Sequence, residues 1–153
     1  MAITANMTPV ELAALVSQTL EAAGIKATLS GGGAVSVYTH NKYQSNDLDF
    51  VTAARRDALS EALRPLGFTL AKDRHRFTQP GTALFLEFPA GPLEFGDRIV
   101  HHEDIPRLDT PWGPLRVITP TQCVMDRLAA YAATEGADPG DIANLRQQAG
   151  LKA

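Results

Sequence analysis

A chain of 153 residues is the size of one domain with its own core, and 44% hydrophobic with 20% charged residues is the make-up of an ordinary globule. The net charge of −3 removes any global basic field that would draw the chain to nucleic acid or anionic membrane. A single cysteine, Cys123, excludes an internal disulfide or a Cys-rich zinc site, and no apolar run nears the ~20 residues of a membrane span.

Residues 1–7 carry neither a basic nor an apolar leader segment, so the expected location is the cytoplasm. Thr8-Pro9-Val10-Glu11 reads as a capping box with proline at the first helical position. Leu12, Leu15, Val16 and Leu20 follow at helical spacing, and Gly24 ends the helix. A short strand is expected over 25–29, running into Gly31-Gly32-Gly33, with a helix starting by Ala34 and reaching Tyr38. Residues 48–51 are apolar apart from Asp49 and predict a buried strand. Thr52 is expected to cap the next helix, whose stripe of Leu59, Ala62, Leu63 and Leu66 closes at Gly67.

Residues 68–70, 74–77 and 83–88 then read as strands joined by turns, with Arg74 and Arg76 on one face of theirs. The prolines and glycines of 89–114 predict loops and short edge strands, before a last strand over 115–118. Thr119-Pro120-Thr121-Gln122 repeats the capping box and opens a helix with Val124, Met125, Leu128 and Ala129. Asp138-Pro139-Gly140-Asp141 opens a second helix, ended by Gly150. The expected fold class is α+β: one domain over 1–153, with a small mixed sheet flanked by helices to about residue 118 and a helical tail over 119–150.

Asp47 and Asp49 carry the chemistry. Two residues apart on a strand they share a face, and their neighbours Leu48, Phe50 and Val51 favour burial. Two like charges at the edge of a core repel and are costly to desolvate; a divalent cation relieves both costs. Carboxylate oxygens suit Mg²⁺ (or Mn²⁺), with substrate phosphates completing the coordination. The glycine triplet supplies the phosphate side, because backbone without Cβ atoms lets amides approach an anion closely. Thirteen residues separate Gly33 from Asp47. Lys42, Lys72, Arg74 and Arg76 are available to steer a triphosphate, though solvated surface charge is the simpler reading of each.

His101-His102-Glu103 reads as exposed loop or edge, since adjacent histidines on a strand face opposite ways. His40 and His75 read the same way, Cys123 as a buried structural thiol, and Trp112 and Tyr131 as core or interface anchors. Aspartates at strand ends also pair with arginine, and Arg55 and Arg56 are close in sequence.

The run Leu29-Ser30-Gly31-Gly32-Gly33-Ala34, followed by Ser45-Asn46-Asp47-Leu48-Asp49-Phe50, resembles the signature of the DNA polymerase β-like nucleotidyltransferase superfamily. Its small bacterial branch of minimal and toxin–antitoxin nucleotidyltransferases is the nearest in pattern. The resemblance implies transfer of an NMP from an NTP to a hydroxyl on a protein, RNA or small molecule. It also implies a partner chain or homodimer to complete acceptor recognition, and no membrane role. Ser30, Gly31 and Gly32 would contact the β- and γ-phosphates, with Ser45 and Lys42 assisting. A third acid on a later strand would join Asp47 and Asp49 as metal ligand. Glu87, alone among Leu84, Phe85, Leu86 and Phe88, is the candidate, with Glu94 and Asp97 as rivals. The branch favours aspartate as third acid and a basic residue before the serine, where this chain has Glu87 and Gln44. These departures support an alternative: a nucleotide-sensing or protein-binding module on the same fold. A structural cation site without nucleotide is the third reading.

Overall fold

Both helices read from capping signals start where expected, the first on the Thr8 hydroxyl cap alone and the second on a full reciprocal box. In a computed structural model that describes residues 3–95 and 98–133 (the side chains of 131–133 excepted), α1 spans Pro9–Ala22, and the Glu11 amide donates to Thr8 Oγ1. After strand β1 (Thr28–Ser30) the chain turns straight into α2 (Gly31–Tyr38), so the three glycines open the helix rather than precede it. Strand β2 (Asp47–Val51) follows, then α3 (Arg56–Leu63) with a 3-10 turn at Arg64–Leu66. Thr52 is not its cap. Its hydroxyl donates to the Lys26 carbonyl and accepts from the Ala54 amide, and the helix starts four residues later behind Arg55.

Strands β3 (Thr69–Leu70), β4 (Arg76–Thr78) and β5 (Phe85–Glu87) complete one sheet in the order β1-β2-β5-β4-β3. Only the β2–β5 pairing is parallel, which makes the sheet mixed as expected. Arg74 lies outside β4, in a left-handed turn (φ 64°), so it does not share a strand face with Arg76. Asp73 holds that turn by accepting from the His75 and Arg76 amides.

The segment from Pro89 to Pro114 contains two hairpins, β6 (Leu93–Phe95) with β7 (Arg98–Val100), and β8 (Arg107–Thr110) with β9 (Gly113–Arg116). Between them a 3-10 turn at His102–Asp104 half-buries His102, whose Nδ1 lies 2.6 Å from Thr28 Oγ1; the expectation of an exposed histidine run is corrected there. The β8–β9 hairpin is fixed to α1, with the Arg116 amide donating to Ser17 Oγ and Gln18 Nε2 donating to the Trp112 carbonyl. Trp112 itself is exposed and not a core anchor.

Helix α4 (Pro120–Ala133) starts on a reciprocal box: Gln122 N donates to Thr119 Oγ1 and Thr119 N to Gln122 Oε1. Val124 and Cys123 are buried in it, whereas Met125 and Ala129 face outward. The helix expected over 138–150, Asp97 and the Tyr131 side chain lie outside the described residues. Among those described, no helix is long and apolar enough to cross a membrane.

Alternation along the sheet decides what the site can be. Leu48, Phe50, Leu86 and Phe77 point to one face and are almost wholly buried, in a core shared with Leu12, Leu20, Leu59 and Leu63 from the helices. The residues between them, Asp47, Asp49 and Glu87, therefore emerge together on the opposite face.

Candidate metal centre

Register brings the acids together. In the parallel β2–β5 pair Asp49 is opposite Glu87 and Asp47 opposite Phe85, and across the antiparallel β1–β2 pair Ser30 is opposite Asp49. Residues opposite one another share a face. Asp47, Asp49 and Glu87 are all half-buried, and one carboxylate oxygen from each lies within 4.8 Å of the others. No arginine or lysine forms an ion pair with any of the three among the described residues; Arg55 pairs instead with Asp57 at 3.6 Å. The rival acid Glu94 is exposed on the separate β6–β7 hairpin.

The charge is uncompensated, and Asp49 shows it. Its carboxyl is pushed up to about 7, first by burial and then by the neighbouring charges of Asp47 and Glu87, with Arg127 pulling weakly the other way. Three convergent oxygen donors with this unrelieved repulsion fit a hard divalent cation such as Mg²⁺. Asp47 and Asp49 would hold it from β2 and Glu87 from β5.

The glycine turn abuts the carboxylates directly. Gly31 has φ 61°, and a Cβ there would lie 2.8 Å from Asp49 Oδ2, so this position needs both the left-handed backbone and the missing side chain. A Cβ on Gly32 would press on Ser45 Oγ at 3.0 Å. Gly33 serves packing instead, facing Leu29 and Leu48 of the core. Ser45 is nearly buried, and its hydroxyl donates to Asp47 Oδ1 at 2.6 Å and to the Asp47 carbonyl at 3.0 Å. Its own amide donates to Ser36 Oγ, so Ser45 links α2 to the first acid. Ser30 Oγ donates to the Asp49 carbonyl at 3.3 Å. Lys42 is exposed in the loop between α2 and β2.

Two neighbours of the site escaped sequence reading. The Gly31 amide, the first of the glycine turn, donates to Asp126 Oδ2 at 3.1 Å, and Arg127 Nη2 donates to the same oxygen at 3.0 Å. Arg127 Nε is buried without a partner. The available signal was a charged pair, Asp126-Arg127, interrupting the apolar stripe of α4, but nothing local says that it reaches Gly31, ninety-five residues away.

No protein-family model and no curated protein sequence matches this chain. Solved structures do match in fold. The crystal structure of an antigenic nucleotidyltransferase-like protein from Paracoccidioides brasiliensis is similar with a TM-score of 0.65 at 14% identity, over 95% of this chain and 77% of that one. The solution structure of the antibiotic-resistance factor ANT(2'')-Ia gives 0.56 at 14% identity, over 92% of this chain and 81% of that one. A crystal structure of ANT(2'')-Ia in complex with adenylyl-2''-tobramycin gives 0.51 at 14% identity, over 88% and 83%. The chain thus has a nucleotidyltransferase-like α+β fold.

Proposed function

We propose that this chain is a metal-dependent nucleotidyltransferase that moves an NMP from an NTP to a hydroxyl. The convergence of Asp47, Asp49 and Glu87 carries the reading, because three unpaired carboxylates at the end of a core sheet make chemical sense as cation ligands. Asp47 and Asp49 would hold a nucleotide-side metal ion, and Asp49 with Glu87 would hold a second, acceptor-side one. Mg²⁺ held by these residues would supply a lowered pKa for the acceptor hydroxyl and neutralisation of triphosphate charge.

The chain's own groups do the rest. Ser45 fixes the Asp47 carboxylate through its 2.6 Å hydrogen bond. Ser30, Gly31 and Gly32 line the turn against which the β- and γ-phosphates lie, and Lys42 draws them in from the loop. The acceptor oxygen bonds to the α-phosphorus as the bridge to the β-phosphate breaks. Pyrophosphate leaves with the electron pair, and Glu87 takes the acceptor's proton and passes it to solvent. The acceptor is a hydroxyl of a protein, RNA or small molecule; in ANT(2'')-Ia the adenylylated molecule is tobramycin. A toxin–antitoxin context with a partner chain or homodimer, and a cytoplasmic location, complete the proposal.

One observation favours a second reading. Asp126 engages the Gly31 amide, where a phosphate oxygen would bind, as expected of a domain that senses nucleotide without transferring it. Incubating the protein with each α-labelled NTP, Mg²⁺ or Mn²⁺ and a lysate of its host separates the two. Labelled protein, RNA or small molecule that disappears with Asp47→Ala/Asp49→Ala supports transfer. Calorimetric NTP binding without label transfer supports sensing, and label transfer that survives the double change removes the proposed site.

A further inference from the structure

The β8–β9 hairpin leaves one strand edge open. Pro114 has no amide and the Arg116 amide donates to Ser17 Oγ, so Asp109–Pro114 and Arg107–Arg116 are the non-hydrogen-bonded pairs of the ladder. The amides and carbonyls of Arg107 and Asp109 therefore point away from β9. Among the described residues β9 is the only strand beside β8. The outward ladder stops on both sides. Ile105 already donates its amide to the His102 carbonyl and accepts from Arg116 Nη1, and Pro111 has no amide.

The flank of this edge is apolar. Pro106, Arg107, Leu108 and Asp109 are all exposed, although Leu115, opposite Leu108, is fully buried. Leu108 and Trp112, 36% and 42% exposed, border a groove of about 670 Å³ whose other wall is Val10 of α1 with Val37 and Tyr38 of α2. Exposed apolar side chains beside unpaired strand backbone mark a contact surface. Charges on such an edge ordinarily keep chains apart. Here Arg107 and Asp109 have opposite signs two residues apart, so an antiparallel copy of the strand centred on Leu108 meets each with its opposite. Strands β3 and β7 lack this, with two residues in the one and a single charge, Arg98, in the other.

We infer that β8 pairs antiparallel with β8 of a second copy of this chain, about a twofold axis at Leu108. Arg107 then lies opposite Asp109 of the partner subunit, and Asp109 opposite the partner's Arg107. Backbone parity agrees with the charges. These are the residues whose amides and carbonyls point outward, so each pair exchanges both of its N–H···O bonds. Leu108 meets the partner's Leu108 on the axis as a non-hydrogen-bonded pair, the arrangement in which side chains come closest. Arg107 reaches Glu21 through Nε alone, which leaves its Nη atoms for the carboxylate across the interface. A twofold contact bounded by Ile105 and Pro111 closes on itself and makes a dimer, not a fibre. This gives a surface to the homodimer of the proposed function and does not depend on the transferase chemistry.

Sedimentation of the full chain without nucleotide, from about 5 µM to about 1 mM, reads the association. Wild type should pass from monomer to dimer across that range, and its Arg107 and Asp109 amides should exchange with deuterium more slowly as concentration rises. Arg107→Asp and Asp109→Arg, each alone, set like charges opposite one another and should weaken association at least ~tenfold. Mixing the two variants puts acidic positions against basic ones and should restore the dimer. A wild type monomeric throughout, single variants that dimerise as well as wild type, or a mixture that stays monomeric overturns the inference. So does exchange at Arg107 and Asp109 that ignores concentration, a readout that needs only the wild type if a variant fails to fold. Label transfer enters none of these measurements, so the transferase reading survives each such failure.

Discussion

Replacing Asp49 with asparagine should stabilise the metal-free protein while abolishing the proposed nucleotidyl transfer. The Asp49 carboxyl is pushed from an ordinary 3.8 up to about 7 by burial and by Asp47 and Glu87. Because the folded value lies above the unfolded one, the folded chain holds an extra proton between about pH 4 and pH 7 and loses stability as pH rises through that window. Three pH units correspond to ~4 kcal/mol, which partial exposure of the carboxyl reduces to roughly 2 kcal/mol. An asparagine side chain cannot ionise and escapes the loss, and the Asp49 side chain makes no hydrogen bond among the described residues that the exchange would break. The ~2 kcal/mol corresponds to a Tm increase of roughly 4–8 °C for a chain this size. Thermal melts in EDTA at pH 8, 6 and 4 give the test. The gain should be full at pH 8 and shrink towards zero at pH 4, and Mg²⁺ should narrow it at pH 8 by stabilising the wild type alone. A gain independent of pH, or a loss at pH 8, would refute the view of Asp49 as a strained anion awaiting a cation.

Other perturbations probe the parts around it. Ser45→Ala removes the 2.6 Å bond to Asp47 and should cost ~1.5–3 kcal/mol in a denaturant melt, with weaker Mn²⁺ binding by calorimetry. Gly31→Ala puts a Cβ 2.8 Å from Asp49 Oδ2 at φ 61°, and should destabilise by more than about 1 kcal/mol in the same melt, beyond any gain from chain stiffening. Asp126→Asn removes a charge from the Gly31 amide and should tighten NTP binding roughly tenfold, ~1.4 kcal/mol, by calorimetry.

What the sequence made legible was local or periodic. The caps at Thr8 and Thr119 depend on residues three apart, and both helices begin there. The shared face of Asp47 and Asp49 follows from strand alternation. Glu87 joins them because an isolated acid in an apolar strand has one place to go when its neighbours are buried. What failed depended on distant partners. Thr52 would cap α3 if the Lys26 carbonyl did not take its hydroxyl. Arg74 would extend β4 if Asp73 did not close a tight turn before it. His102 looked exposed because its partner, Thr28, belongs to a strand seventy-four residues earlier. Asp126 and Arg127 were passed over for the same reason: their meaning lies in contact with the glycine turn, not in spacing along α4.

Glu87 offers the most direct test of the central claim, since it lies outside the motif around Gly31 and Asp47 and joins the centre only through the β2–β5 register. Label transfer from α-labelled NTP is compared between the wild type and Glu87→Gln at saturating Mn²⁺ and NTP. A shared ligand and proton acceptor predicts a fall of ~10²–10⁴-fold in turnover, with NTP affinity changed by far less. Turnover within a few-fold of wild type would contradict a three-carboxylate catalytic centre.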